Sequence, residues 1–413
     1  MSDQVIAQQA TEPDIATQSA MFRSRKADPR AVVDGLLDKA DAANPALNAF
    51  ITITRDLARH QAAASAERYA AGTPLSPLDG IAVAVKDFYD TAGIATTAGF
   101  RHFRHRVPEA DAAMVTRLRD AGAVLIGKTN MDALGMATTG RESAFGPVAN
   151  PWSGRHVTGG SSSGSAVAVA TGLCFATVDT DAAGSARLPA AICGLAGFKP
   201  SYGVLSGEGI LAGEPADPAI LALAHVALQA RTAADVALVF ETLSQRSAVP
   251  KRDPIRIAAA ANIPVHAQMQ EGFDAAMETL AEISVLAAPV TLPLEMATFD
   301  ISAVEEHRAA ADDLMFAACD VVVLPTLAEP APTIVEAERL GASAVRQDNV
   351  FFANYFGLPA ITVPMGTDSS GVPTGLQLVG RAGKDELVLA LARAFQAAYA
   401  DRVPAPFFSP SNQ

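Results

Sequence analysis

Apolar residues recur at helical spacing through the first 70 positions, where Val32, Val33, Leu36, Leu37, Ala40 and Leu47 fall on one face, so residues 1–70 are predicted to be helical. The pattern breaks near Gly72-Thr-Pro-Leu-Ser-Pro77. The β-branched run Ile81-Ala-Val-Ala-Val85 then reads as a buried strand that delivers Lys86 to its end. From Asp111 to Ala121 the spacing predicts a helix, Gly122 closes it, and Ala123-Val-Leu-Ile126 reads as the next strand. The small, Ala/Val-rich stretch from Ser165 to Leu173 suits a close-packed helix. Ser244 to Pro254 is polar and broken by proline, a surface crossing. Beyond it, helical patterns over Gly272–Leu286 and Ala303–Ala318 alternate with the strands Val321–Leu324 and Ala360–Val363, and a helix from Lys384 to about Ala400 closes the chain. No internal repeat is visible. Mixed strands and helices of this kind predict an α/β protein with one large mixed β-sheet covered on both faces by helices.

Size and charge narrow the function. The chain has 413 residues, 50% of them hydrophobic, enough for a large core. Its formal net charge of −13 repels phosphate backbones and anionic lipid heads, so neither nucleic acid nor a membrane is the expected partner. Cys174, Cys193 and Cys319 cannot all pair and lack metal-ligand spacing, so no metal or other cofactor is expected. Residues 1–20 carry no basic-then-apolar signal pattern, and no 18-residue apolar span follows, so the expected compartment is the cytoplasm.

Candidate chemistry concentrates in three places. Thr158-Gly-Gly-Ser-Ser-Ser-Gly-Ser165 and Asp181-Ala-Ala-Gly-Ser185 are serine-bearing, glycine-containing turns, and Lys86 lies upstream at a strand end. A serine hydroxyl attacks only when a base takes its proton, and a turn with free backbone N–H groups can hold an oxyanion. A lysine sealed at a strand end loses the hydration of its charged form and can serve as that base. The seven histidines read as structural or exposed, with His156 nearest the serine run, and no Ser-His-Asp set is evident. Gly122-Ala-Val-Leu-Ile-Gly-Lys-Thr129 satisfies the phosphate-loop expression, but a helix precedes it and Ala-Val-Leu-Ile fills the loop, so it reads as strand interior.

Leu78–Phe88, Gly122–Asp132, Ser143–Pro147, Asn150–Trp152, Gly159–Ser165, Ala191–Gly203 and Gly357–Pro364 together resemble the amidase signature family, in order and over most of the chain, most closely its compact malonamidase type. The resemblance implies a Ser-Ser-Lys triad, with Lys86 as general base, Ser161 as bridging serine after a cis Gly160–Ser161 peptide, and Ser185 as nucleophile. It also implies an oxyanion hole of the Ala182, Ala183, Gly184 and Ser185 amides. Asp181 and Arg187 are expected to pair and brace that turn. The family pattern Gly-Thr-Asp-Thr-Gly-Gly-Ser is here Asp179-Thr-Asp-Ala-Ala-Gly-Ser185, and its Leu-Asp-His-Val-Gly is Leu223-Ala-His-Val-Ala227. Alanine at 183 fits only a turn that needs no positive φ there. About Ser284 to Ala318 the chain is shorter than most relatives.

The resemblance thus implies one amidase domain over residues 1–413: a helical part (1–70), a signature core (76–204) and a second half (255–413) whose loops shape the substrate pocket. The expected activity is hydrolysis of a linear carboxamide through an acyl-enzyme. The alternative is the glutaminase (A) subunit of a tRNA-dependent amidotransferase, which needs partner subunits. A small-molecule amide is the expected substrate, and a homodimer is left open.

Overall fold

Capping and periodicity build the N-terminal helices as the pattern requires. In the computed structural model, which describes residues 13–246, 254–298 and 301–399, these are α1 (Ile15–Arg23), α2 (Pro29–Leu47) and α3 (Arg55–Ala71). Asp28 caps α2 by accepting from the Arg30 N–H, with Pro29 in the first turn. Val33, Leu36, Leu37, Ala40, Ala43 and Leu47 form its buried stripe, and Asn48 in the left-handed region ends it.

Eleven strands form one sheet: β1 (Phe50–Ile53), β2 (Ala82–Lys86), β3 (Val124–Thr129), β4 (Ala176–Asp181), β5 (Ala196–Lys199), β6 (His225–Ala230), β7 (Arg256–Ala259), β8 (Val285–Leu286), β9 (Val321–Pro325), β10 (Ala360–Thr367) and β11 (Pro373–Gly380). Their order is β1-β3-β2-β4-β6-β5-β10-β11-β9-β7-β8. β2 runs parallel to both β3 and β4, and β4 is antiparallel to β6, so the sheet is mixed. Every residue of β2, β3 and β4 is buried, as continuous apolar runs in a covered sheet should be. Both faces carry helices. A Cβ on Gly197 would lie 2.5 Å from Ala190 of the helix Arg187–Ile192, whereas the next side chain, Phe198, meets Phe240 of the helix Ala233–Ser244 edge-on at 5.4 Å.

Three local readings change, and a fourth is borne out. β1 has no counterpart in the sequence pattern, because four residues between two helices carry no periodic signal. The sequence predicts Val285-Leu286 as a helix end, but the helix stops at Ile283 and the pair forms the exposed edge strand β8. The other predicted helices shorten to Val304–Met315 and Asp385–Ala398. β3 runs on through Gly127, Lys128 and Thr129, so the phosphate-loop match lies inside the sheet. Lys128 is buried, bonds the Tyr89 carbonyl and Thr96 Oγ1 at 2.7 Å each, and pairs with Asp87 at 3.2 Å. Of the crossing predicted over Ser244–Pro254, residues 247–253 lie outside the described residues.

Candidate active site

Lys86 ends β2 fully buried, as the apolar run before it required. Its Nζ lies 2.8 Å from Ser161 Oγ and 3.0 Å from Thr180 Oγ1, with the Phe88 ring centroid at 5.2 Å. Burial pulls its pKa down to about 8 against the opposing charges of Asp179, Asp181 and Asp132. An amine so placed is neutral in a large fraction near pH 8 and within reach of a hydroxyl proton.

Ser161 precedes the wholly buried helix Ser163–Ala170, which begins two residues before the predicted Ser165 and ends three before Leu173. The Gly160–Ser161 peptide is cis, as the resemblance implied. Glycine is required at 160, since a Cβ there would stand 2.0 Å from Asp132 Oδ2. That carboxylate accepts from the amides of Gly140 and Glu142, and the Asp132 N–H donates to the Ser161 carbonyl. The Ser162 N–H donates to the Ser185 carbonyl at 3.0 Å, which ties the two serine turns together. Ser185 is the most exposed of the three groups, at 9% against 1% for Ser161 and 0% for Lys86. The structure brings Lys86 and Ser161 into hydrogen-bond contact, while no hydrogen bond joins the Ser161 and Ser185 hydroxyls. Such contacts commonly tighten only when substrate is bound.

The turn after β4 is organised by Asp181. Its Oδ1 accepts from the Gly184 N–H at 2.8 Å, and its Oδ2 from the N–H groups of Ala186 and Arg187 at 3.2 and 3.3 Å. The Gly184 amide, one of four expected oxyanion donors, is therefore already engaged, and Ala182, Ala183 and Ser185 are the remaining candidates. Only Gly184 in this turn has positive φ, at 97°, so alanine is accommodated at 183 without left-handed strain. Arg187, fully buried, meets Asp181 with Nε at 3.0 Å and Nη2 at 2.9 Å, the expected brace. Burial alone would raise the Asp181 pKa, but the Arg187 charge and hydrogen bonds hold it well below the usual carboxylate range. Replacing Arg187 with methionine would leave a buried carboxylate without its cation and is expected to cost about 3–5 kcal/mol. Chemical denaturation would measure it, and a loss under about 1 kcal/mol would refute the bracing role.

Three contributors escaped the sequence. Thr180 gives Lys86 its second contact, and its one signal is adjacency to Asp181. Asn354 donates to the Asp181 carbonyl at 2.7 Å and accepts from Arg187 at 2.5 Å, and Gln377 accepts from Arg187 at 2.6 Å. Both come from the second half of the chain, with no local motif. His156 bonds Ser153 Oγ at 2.8 Å and bridges to Thr333, bracing its own loop. His225 sits opposite Asp181 in the sheet, buried, with Nδ1 2.7 Å from the Leu223 carbonyl. Among the described residues no His, Cys, Asp and Glu group is arranged to hold a metal ion, and no helix is long and apolar enough to cross a membrane.

The chain is 32% identical to the A subunit of glutamyl-tRNA(Gln) amidotransferase from Synechococcus sp. (strain WH7803) over 461 aligned positions, spanning 89% of this chain and 93% of that one. It is 30% identical to the mitochondrial form of the same subunit from Rattus norvegicus, over 85% and 87% of the two chains. Among solved structures, an amidase matches at 28% identity and a TM-score of 0.80, covering 93% of this chain and 99% of that chain. Peptide amidase from Stenotrophomonas maltophilia matches at 25% and 0.81, covering 97% and 99%. The Amidase family model matches residues 31–305 and 295–389, and 461 aligned positions against 413 residues leave at least 48 of those positions without a residue of this chain. On that match the chain belongs to the amidase signature family.

Proposed function

We propose that this chain cleaves a carboxamide C–N bond through an acyl-enzyme on Ser185. The observation that carries the reading is the 2.8 Å contact between the buried Lys86 amine and Ser161 Oγ, beside a turn whose Ala182, Ala183 and Ser185 amides can receive an oxyanion. In the first step the Ser185 proton passes through Ser161 to Lys86 Nζ as Ser185 Oγ bonds the amide carbon. The proton then returns to the leaving nitrogen as the C–N bond breaks, and water attacks the ester with the same relay as base.

Two readings of the substrate stand. Hydrolysis of a free linear amide by the chain alone is supported by its resemblance in fold to amidases and by the at least 48 aligned positions at which it lacks a residue relative to the amidotransferase relative. The sequence relatives favour the other: a glutamine-cleaving subunit that passes ammonia to partners, with tRNA met in the assembly. A net charge of −13 speaks against direct phosphate binding by this chain, not against membership of such an assembly. Ammonia release by the purified chain from simple aliphatic amides, ureido compounds and glutamine separates them. Turnover of simple amides without partners supports the first. Cleavage of glutamine alone, stimulated by co-expressed partner subunits, supports the second, and no ammonia from any of them, with or without partners, would sink both.

A further inference from the structure

Asp179 stands where the family pattern has glycine, two residues before Asp181 in β4. Strand register places its side chain. Ala84 of β2 and Thr177 of β4 are partners, and two residues further along each strand the side chains return to the same face, so Lys86 and Asp179 stand side by side. Thr177 Oγ1, 2.6 Å from Asp179 Oδ2, lies on that face, as does Gln229 of β6, whose Nε2 donates to the same oxygen at 3.0 Å. Asp179 Oδ1 has no hydrogen-bond partner although the residue is fully buried, and Asp179 forms no ion pair among the described residues. Every other carboxylate near the amine is engaged: Asp181 by Arg187 and turn amides, Asp132 by the amides of Gly140 and Glu142. Lys128, paired with Asp87, points to the opposite face, and the Tyr89 hydroxyl goes to the Asp179 backbone carbonyl.

We propose that Asp179 is a positioning residue for Lys86, a counter-charge that steadies the ammonium while the lysine holds the proton taken from Ser185. The proposal rests on the reading of Lys86 as base. During the reaction a sealed site acquires a cation, which burial disfavours, and an adjacent carboxylate offsets that penalty. Burial raises the Asp179 pKa, against the neighbouring polar side chains of Ser165, Thr177 and Gln229 and the charge of Lys86, so the carboxyl ionises most readily when the lysine beside it is charged. Of the charges acting on Lys86, that of Asp179 is the largest that raises its pKa.

Two substitutions test this. Asp179→Asn keeps the shape and an acceptor for Thr177 and Gln229, and Asp179→Gly restores the family residue. The readout is the pH dependence of Ser185 phosphonylation by an alkyl fluorophosphonate, which needs the same base but no known substrate. In both variants the rising limb is expected to move to lower pH by about one unit, because the ammonium has lost its counter-charge, and the plateau rate to fall about tenfold as the weaker base takes the proton less readily. A folded Asn or Gly variant whose limb keeps its wild-type midpoint overturns the proposal. Lys86→Arg, assayed alongside, separates this from failure of the base assignment. An arginine variant reacting at the wild-type rate removes Lys86 as base, whereas an inert one beside unmoved Asp179 limbs removes only the role given to Asp179.

Discussion

Replacing Ser185 with alanine is expected to lower amide turnover by about four to six orders of magnitude and leave the fold intact. The substitution removes one oxygen from a residue whose backbone does the structural work, through the Ser185 carbonyl bonded to the Ser162 N–H. Asp181 and Arg187, which shape the turn, are untouched. Ammonia release gives the rate, and circular dichroism with a melting curve reports the fold. A folded Ser185→Ala protein keeping a tenth of the wild-type kcat would show that the nucleophile lies elsewhere. Ser161→Ala should lose less, because a water molecule lodged beside Lys86 can carry part of the relay. The two losses should not add, since both interrupt one chain of proton transfer.

The sequence revealed what local chemistry writes into it. A run of β-branched residues ending in lysine is legible as a buried strand with a polar terminus, and Lys86 lies there. Glycine and serine clusters mark turns, and those turns converge. Hidden from the sequence was what the sheet assembles across distance. Gln377 reaches the Arg187–Asp181 pair because β4, β6, β5, β10 and β11 lie in neighbouring order, Asn354 reaches it from the helix Phe351–Tyr355, and no spacing along the chain encodes either. Thr180 and Asp179 were adjacent to the motif but their roles depend on which strand stands beside β4. The engagement of the Gly184 amide by Asp181 is likewise a fact of side-chain placement. Short elements failed for a further reason: β1 and β8 are four and two residues long, too brief for periodicity, and exist because a neighbouring strand offers hydrogen bonds.

Lys86→Arg and Lys86→Ala are expected to be nearly equal in damage, each lowering kcat/KM by about two to four orders of magnitude. Arginine keeps the positive charge and much of the length, but its guanidinium does not give up a proton in proteins and so cannot receive one. The pH profile of the wild type supplies the matching sign. Burial lowers the Lys86 pKa to about 8, and only the neutral amine accepts the Ser185 proton, so kcat/KM should climb about tenfold per unit at low pH and level off above about 8. A histidine base would place that midpoint near about 6.5 instead. No such limb should survive in the arginine variant, because the titrating group is gone. Asp132, Asp179 and Asp181 all raise the lysine pKa against burial, so the observed midpoint reports their balance with desolvation. A folded arginine variant with near-normal activity would leave Lys86 an electrostatic or structural support. The 2.8 Å contact to Ser161 would then be a packing feature, and the proton from Ser185 would have to leave by another route.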